Sequence, residues 1–522
     1  MHILNRSHRR IEFDLVESEI VTESARALPA IAARGEATRD MAAVSVLVSR
    51  AAQAHFEFGR QRGSVPAMTT EKGPPPCVCR EKATGLLRTV HREIVLRFKP
   101  GTPAKRRQQI LVQHGFQVRR TNPFIRDQVV AVDPNKNRYG EKLFEIANDW
   151  AEMDEVLFAT PNFVSQFRRY APPKIHLGQW HLRNAGKGGQ VAGEDVDAQQ
   201  AWKITQGRAS IVVAVLDDGV DIDHPNLKSR IWRNPDPNAP DRNGRDFFLP
   251  DNHPDTNNPR PKLFRFPFDE MRGNDIHGTP CAGVVAAPGR DSGAVGIAPG
   301  CRILPIKIFH ADDLARDDRV ADAIRYAAQH ADILSCSWSG GSSPDIELAL
   351  EDAGAIGRGG RGAAVFCAAG NESGNPVGFP AADPNAIAVG ASTDQARLAS
   401  YSNVGPELAF VAPSSGGVRG IFTTDVSIPN RGFNVGLKSA GGADGLHTND
   451  FGGTSSATPL AAGVGALVLS ARAGLSRGEL KELMASTCDK IGSGYDANGH
   501  SDRFGFGRVN AGKAVEKAKS GS

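Results

Sequence analysis

Two rhythms of apolar residues divide this chain. Between Arg92 and Phe167 apolar positions come in short alternating or amphipathic stretches. Ile94-Val95-Leu96-Arg97-Phe98 reads as a strand, and Pro100-Gly101-Thr102-Pro103 opens a helix that runs to about His114. Prolines fit there because the first N–H groups of a helix have no intrahelical acceptor to lose. Phe116 to Arg119 and Gln128 to Val132 predict strands, Glu141 to Trp150 a second helix, and Val156 to Phe158 the start of a last strand. The order β-α-β-β-α-β predicts a small ferredoxin-like α+β plait.

From about Gln179 the rhythm changes. Continuous apolar, β-branched runs alternate with helical stretches: Ile211 to Leu216, Ile303 to Phe309, Ile333 to Ser337, Ala363 to Ala369 and Ala386 to Val389. A strand that is apolar on both faces is covered on both faces, so these runs predict a parallel sheet between layers of helices. Asp318 to His330 and Ala457 to Ala471 are covering helices. The fold class is therefore α/β, three-layer αβα with a mostly parallel sheet, preceded by the plait. Residues 1–90 form an extension of unreadable role. In it Met41 to Phe58 favours a helix, and Gly73-Pro74-Pro75-Pro76 makes a stiff linker.

Composition narrows the function classes. The 522 residues are 40% hydrophobic and 23% charged with a net charge of +4, which is ordinary for a soluble protein of several domains. No dense basic run points to nucleic acid, and no apolar stretch approaches the roughly 20 residues of a membrane span. The arginines of the first fifteen residues are followed by no apolar segment, so no secretory signal is visible and a cytoplasmic location is favoured over secretion. Seven cysteines lie mostly inside apolar runs, as core thiols rather than a disulfide framework. Cys77-Val78-Cys79 has no second pair to complete a metal site.

Four segments carry chemistry. Asp217 and Asp218 directly follow the apolar run Ile211 to Leu216, at the carboxyl end of a strand, where open parallel sheets place their sites. Either aspartate also reads as a turn or cap residue, and the first is the better placed. His277 opens a helix of small residues, Gly278-Thr279-Pro280-Cys281-Ala282-Gly283, which can press close to a sheet. Ser455 follows Gly452-Gly453-Thr454 at the start of another small-residue helix, with Ser456 as its rival. There its own N–H and the helix dipole face any developing oxyanion. Asn371, after the run ending at Ala369 and Gly370, offers an amide to the opposite side of that oxyanion. Each segment alone also reads as structural: a turn aspartate, a core histidine, an N-cap serine, a turn asparagine. Together they supply orienter, base, nucleophile and oxyanion donor, the set a serine hydroxyl needs in order to attack a carbonyl at neutral pH.

At these residues the chain resembles the subtilases, the subtilisin/kexin-like serine proteases, from about Gln179 to Val515. Gln179-Trp180-His181-Leu182, Leu216-Asp217-Asp218-Gly219 and His277-Gly278-Thr279 look kexin-like, whereas Ala369-Gly370-Asn371-Glu372, Gly378-Phe379-Pro380 and Gly453-Thr454-Ser455 look like bacterial subtilisins. The order Asp, His, Ser is that of subtilisin itself. The resemblance implies a triad of Asp217, His277 and Ser455, with Asn371 completing an oxyanion hole. It implies that Ser337-Trp338-Ser339-Gly340 pairs with substrate backbone, that Gly378 floors the S1 pocket, and that Glu372 modestly favours a basic P1 residue. It makes Arg92 to Phe167 a propeptide that inhibits in cis, with self-cleavage between about Arg168 and Leu177. Two departures stand out. Ser339-Gly340-Gly341-Ser342-Ser343 lacks the acids that kexins use to read paired basic residues, and Pro280 and Ser456 replace residues more usual in the family.

The expected organisation is residues 1–90 as extension, 91–170 as propeptide-like domain and 171–518 as peptidase domain. The expected function is a serine endopeptidase made as a self-processed zymogen, acting on protein or peptide substrates, with no nucleic-acid or membrane partner. The alternative from another class is a catalytically silent, peptide-binding subtilase scaffold. Catalysis needs no cofactor. A structural Ca2+ is suggested by family and composition, with Asp246, Asp251 and Asp255 as its oxygen ligands in an Asn/Asp/Pro-rich loop.

Overall fold

The computed structural model describes residues 2–4, 10–15, 77–81, 87–135, 141–166, 168–169, 178–262, 275–289, 293–310, 314–427, 432–433 and 445–521. The expected helix at Met41 to Phe58, the linker at Gly73 to Pro76 and most of the expected processing region (170–177) lie outside these residues. The chain forms two compact units. One holds residues 1–167 with 314–322 and 340–348, and the other holds the rest.

The first unit contains the six expected elements: strands Leu87–Phe98, Gln117–Thr121, Gln128–Val132 and Val156–Gln166, and helices Ala104–Gln113 and Lys142–Ala151. The period-2 pattern of the first strand explains its burial. Ile94, Leu96 and Phe98 face a core with Ile110, Leu111, Phe144, Trp150 and Phe163, while Val95 points the other way to Val130, Phe158 and Leu348. The last strand runs eight residues beyond Phe158. Pro161 obscured it, because proline cannot donate to a ladder; the pairing with Leu87–Phe98 shifts register between Val90 and Ile94, the stretch opposite Pro161. Strands His2–Leu4, Arg10–Leu15, Cys77–Glu81 and Leu314–Arg316 extend the sheet to eight, which the sequence pattern did not announce. Asp317 lies buried between Arg88 (3.2 Å) and Ser165 (2.6 Å), and burial raises its carboxyl to about 6 against the pull of Arg88.

The second unit is built on seven parallel strands in the order Arg245–Asp246, Arg302–Lys307, Val212–Asp217, Ile333–Cys336, Ala364–Ala368, Ala386–Ser392 and Leu408–Pro413. Every residue of the five inner apolar strands except Arg302 is buried, which is why their runs are continuous rather than alternating. Helices Gly278–Ala286, Gly453–Ala471 and Ala511–Ser520 share one core with Val213, Val215, Ile303, Ile333, Phe366 and Val389. Helix Gly453–Ala471 is, by length and composition, apolar enough to cross a membrane, although its Ser, Thr and Gly residues hide this in the sequence. It is 94% buried and serves as the central core helix. Its small residues allow that burial: a Cβ on Gly463 would come within 2.2 Å of Ile297 Cγ2.

His181 is fully buried at the entrance of this unit, and neither of its ring nitrogens has a hydrogen-bond partner. Burial therefore disfavours the imidazolium and lowers its pKa to about 3. Because the folded-state value is depressed, the unfolded chain takes up a proton below about 6.5 that the folded chain refuses. Stability is then lost as pH falls from 6.5 toward 3. We expect His181→Leu to remove this component. The difference in unfolding free energy between variant and parent should change by roughly 3 kcal/mol between pH 7 and pH 4. Parallel pH profiles in chemical denaturation would contradict it.

Candidate active site

Asp217 is the last residue of strand Val212–Asp217, one residue later than the apolar run alone suggested. It is 1% exposed. Its carboxylate accepts the Asp218 N–H at 2.8 Å and faces His277 Nδ1 at 2.9 and 3.0 Å. With a proton on Nδ1 to satisfy Asp217, the neutral imidazole carries its lone pair on Nε2. The rivalry between the two aspartates resolves in space. Asp218 accepts the backbone N–H groups of His277 (2.8 Å) and Gly278 (2.6 Å), so it caps the histidine helix and holds the imidazole's own backbone.

Ser455 lies in the first turn of helix Gly453–Ala471 and is fully buried. The three residues meet at the sulfur of Cys281, one turn along the histidine helix. Its Sγ is 3.7 Å from Asp217 Oδ2, 3.8 Å from His277 Nδ1 and 3.7 Å from the Ser455 carbonyl oxygen. Burial, with Asp217 beside it, pushes this thiol well above its ordinary pKa, so it remains a neutral, weak donor. Ser455 Oγ is 3.4 Å from the Ser337 carbonyl, and Ser337 Oγ donates to the Ser455 carbonyl at 3.0 Å. The rival hydroxyl of Ser456 turns away to Ser414 Oγ at 2.7 Å.

Asn371 is oriented by its acceptor end. Its Oδ1 takes hydrogen bonds from Thr454 N (2.9 Å) and Thr454 Oγ1 (3.0 Å). Its Nδ2 is left buried without a hydrogen-bond partner. A buried amide N–H₂ without an acceptor is costly, and the site keeps one beside the serine.

Trp338–Ser339 forms a two-stranded antiparallel ladder with the chain's own Arg168–Arg169, with Trp338 opposite Arg169 and Ser339 opposite Arg168. Trp338 is fully buried and anchored through Nε1 to the Leu216 carbonyl at 2.9 Å. A Cβ built on Gly378 would lie 3.6 Å from Ser339 Cβ and 3.7 Å from the Ala369 carbonyl, so this glycine packs beside Ser339. Glu372 is held by Asn403 at both its backbone N–H and its carboxylate, each at 2.8 Å. Gly340 begins the 340–348 segment of the first unit.

The chain matches the subtilase family model over residues 208–507, more than half of its length. The chain belongs to the subtilase family. A calcium-dependent protease of Nostoc sp. is 35% identical over 440 residues, which cover 79% of this chain and 61% of that protein. A halolysin of Haloferax mediterranei is 31% identical, covering 68% of this chain and 60% of its own. A dibasic-processing endoprotease of Schizosaccharomyces pombe is also 31% identical, covering 71% of this chain and 48% of its own. This subtilase thus spans about three-fifths or less of the length of these relatives. In fold it is similar to the crystal structure of fervidolysin from Fervidobacterium pennivorans, with a TM-score of 0.60 and 22% identity over 82% of this chain and 61% of that one.

Asp246, Asp251 and Asp255, the expected ligands of a structural Ca2+, are not drawn together into one cluster in this structure. Asp246 is buried on a strand, where it accepts from the Phe248 and Leu249 N–H groups and pairs with Lys262 at 3.1 Å; Asp251 pairs with Arg245 at 2.9 Å. Protein cations thus pair with two of the three carboxylates. Among the described residues the one cluster with metal-ligand spacing is Asp217, His277 and Cys281.

The sequence reading also missed the polar support behind Asp217. Lys307, fully buried and opposite Asp217 on the next strand, donates to the Asp218 carbonyl at 2.7 Å and pairs closely with Asp275. Asp275 also accepts from the Lys262 N–H at 2.6 Å and contacts His310 Nδ1 at 2.9 Å. A charged residue inside the apolar run Ile303 to Phe309 was the available signal. Lys307→Met leaves Asp275 buried without its cation and is expected to cost about 3–5 kcal/mol. The double variant Lys307→Met/Asp275→Leu should recover much of that loss in chemical denaturation. If it is as unstable as the sum of both single changes, the pair is not coupled.

Proposed function

We propose that this subtilase is a serine endopeptidase in which Ser455 is the nucleophile, His277 the general base and acid, Asp217 the orienting carboxylate and Asn371 an oxyanion donor. The observation that carries the reading is that Asp217 Oδ2, His277 Nδ1 and the Ser455 backbone carbonyl oxygen all lie within 3.8 Å of the Cys281 sulfur, which brings the three residues to one place. Ser455 Oγ attacks the scissile carbonyl carbon and His277 Nε2 takes its proton. Asp217 stabilises the imidazolium that results. The tetrahedral oxyanion receives Asn371 Nδ2 and the Ser455 N–H, donors held in place before the charge appears. Collapse expels the amine, which His277 protonates. Water then repeats the sequence on the acyl-enzyme. No step needs a cofactor.

The substrate binds as an extended strand along Trp338–Ser339, the edge that Arg168–Arg169 occupies in this chain. That occupancy supports the zymogen reading: the segment after the plait lies on the substrate edge, and self-cleavage follows it, before about Leu177. The absence of acids in Ser339 to Ser343 argues against strict dibasic specificity, and Glu372 favours a basic P1 residue modestly.

Ser455→Ala is expected to abolish both fluorophosphonate labelling and self-shortening of the purified chain. Asn371→Leu should keep KM while lowering kcat about 10²–10³-fold, a magnitude carried over from subtilisin itself. A Ser455→Ala protein that still shortens itself would end the reading.

Calcium is supported by the name of the Nostoc relative, a calcium-dependent protease. Because Lys262 and Arg245 already pair with Asp246 and Asp251, we expect a structural ion to be held outside this loop. Chelation is expected to lower the thermal midpoint equally in the parent and in Asp251→Asn/Asp255→Asn; a chelation effect lost in that double variant would restore the loop as a site.

A further inference from the structure

The nucleophile turn rests on four hydroxyls that neither the triad nor the oxyanion hole uses. Tyr401 is 9% exposed, Ser415 2%, and Ser414 and Ser456 not at all. Tyr401 shares its proton between the Ser415 carbonyl at 2.8 Å and Ser414 Oγ at 3.0 Å. The Gly453 carbonyl can only accept, so Ser414, 2.7 Å away, gives its proton there. Ser414 Oγ then serves as the acceptor for Ser456 Oγ at 2.7 Å. The Gly453 N–H donates to Ser415 Oγ at 3.3 Å, and Ser415 Oγ lies 3.2 Å from the Tyr401 hydroxyl. Both polar ends of one glycine are therefore held by side chains from outside its helix. Burial keeps the Tyr401 phenol protonated, pushed up to about 12.

Gly453 is a consequential residue to hold. It sits at φ +70°, a conformation open to glycine, directly before Thr454 and two residues before Ser455. Thr454 fixes the Asn371 amide through its N–H and its hydroxyl. The Ser455 N–H belongs to the first turn, where helical N–H groups have no intrahelical acceptor. Any rotation of the peptide units flanking Gly453 moves both groups together.

We propose that Tyr401, Ser414 and Ser456 are positioning residues for the oxyanion hole: through Gly453 they set the direction of the Ser455 N–H and, through Thr454, of Asn371 Nδ2. This rests on the hydrolase reading above. Ser456, which departs from the family pattern, gains a role by it. A group that sharpens the fit to a tetrahedral oxyanion stabilises the transition state more than the bound substrate, so its loss falls on kcat rather than KM.

The test compares the parent with Ser414→Ala and Tyr401→Phe on a peptide substrate and on a peptide boronate, which forms a tetrahedral adduct with the serine. We expect kcat to fall about tenfold in Ser414→Ala and less in Tyr401→Phe, with KM within about twofold. Boronate affinity should fall by the same factor as kcat. If Ser414→Ala does not fold, Tyr401→Phe, which keeps the ring volume, decides alone. Variants with lowered thermal midpoints but unchanged kcat and boronate affinity would reduce the cluster to packing and overturn the proposal. A parent chain that has shortened itself and still neither hydrolyses the peptide nor binds the boronate would overturn the hydrolase reading, and the positioning role with it.

Discussion

A carboxylate can hold an imidazole in a dry site only if the surrounding field keeps it charged. Asp217, Asp218 and Asp275 all lie buried in one region, and each is compensated differently. Asp217 has the Asp218 N–H and the imidazole. Asp218 has the N-terminus of the histidine helix, whose two leading N–H groups it accepts. Asp275 has Lys307. Uncompensated, any one of them would neutralise or unfold the region, since the desolvation of an isolated ion exceeds what a domain can tolerate. Parallel register makes the arrangement possible. Lys307 and Asp217 are partners on adjacent strands, so cation and anion reach the same end of the sheet. The cleft chemistry therefore depends on strand alignment, and alignment depends on the apolar runs that bury both faces.

Those runs were legible because burial on both faces leaves no alternation to misread. The strands at Ile211, Ile303, Ile333, Ala363 and Ala386 all lie where the pattern puts them, and their displacement by a residue or two is physical. Asp217 reads as a turn residue by composition, yet it completes the ladder opposite Lys307. What the sequence could not decide was which member of a pair faces the cleft. Asp217 and Asp218 are chemically identical, as are Ser455 and Ser456; only the direction of the helix start and the position of Ser414 separate them. The acidic loop was hard to read for a related reason. Spacing showed three carboxylates but not that Lys262, sixteen residues on, folds back to Asp246, nor that Arg245 reaches Asp251. Carboxylates mark a cation site only where no protein cation is nearer, and one-dimensional spacing is blind to that.

On the proposed reading, the segment Ser337-Trp338-Ser339 joins recognition to reaction. Ser337 exchanges contacts with Ser455 through both its hydroxyl and its carbonyl. The next two residues form the edge on which an extended chain pairs. Edge and nucleophile are thus parts of one rigid piece, held beneath by the Trp338 indole on Leu216. Consequently the register of an incoming strand fixes which carbonyl meets Ser455. A slip of one residue shifts the peptide by about 3.3 Å and turns every side chain to the opposite face. On the proposed reading, backbone pairing sets only the spacing of the possible positions, and side-chain pockets choose among them.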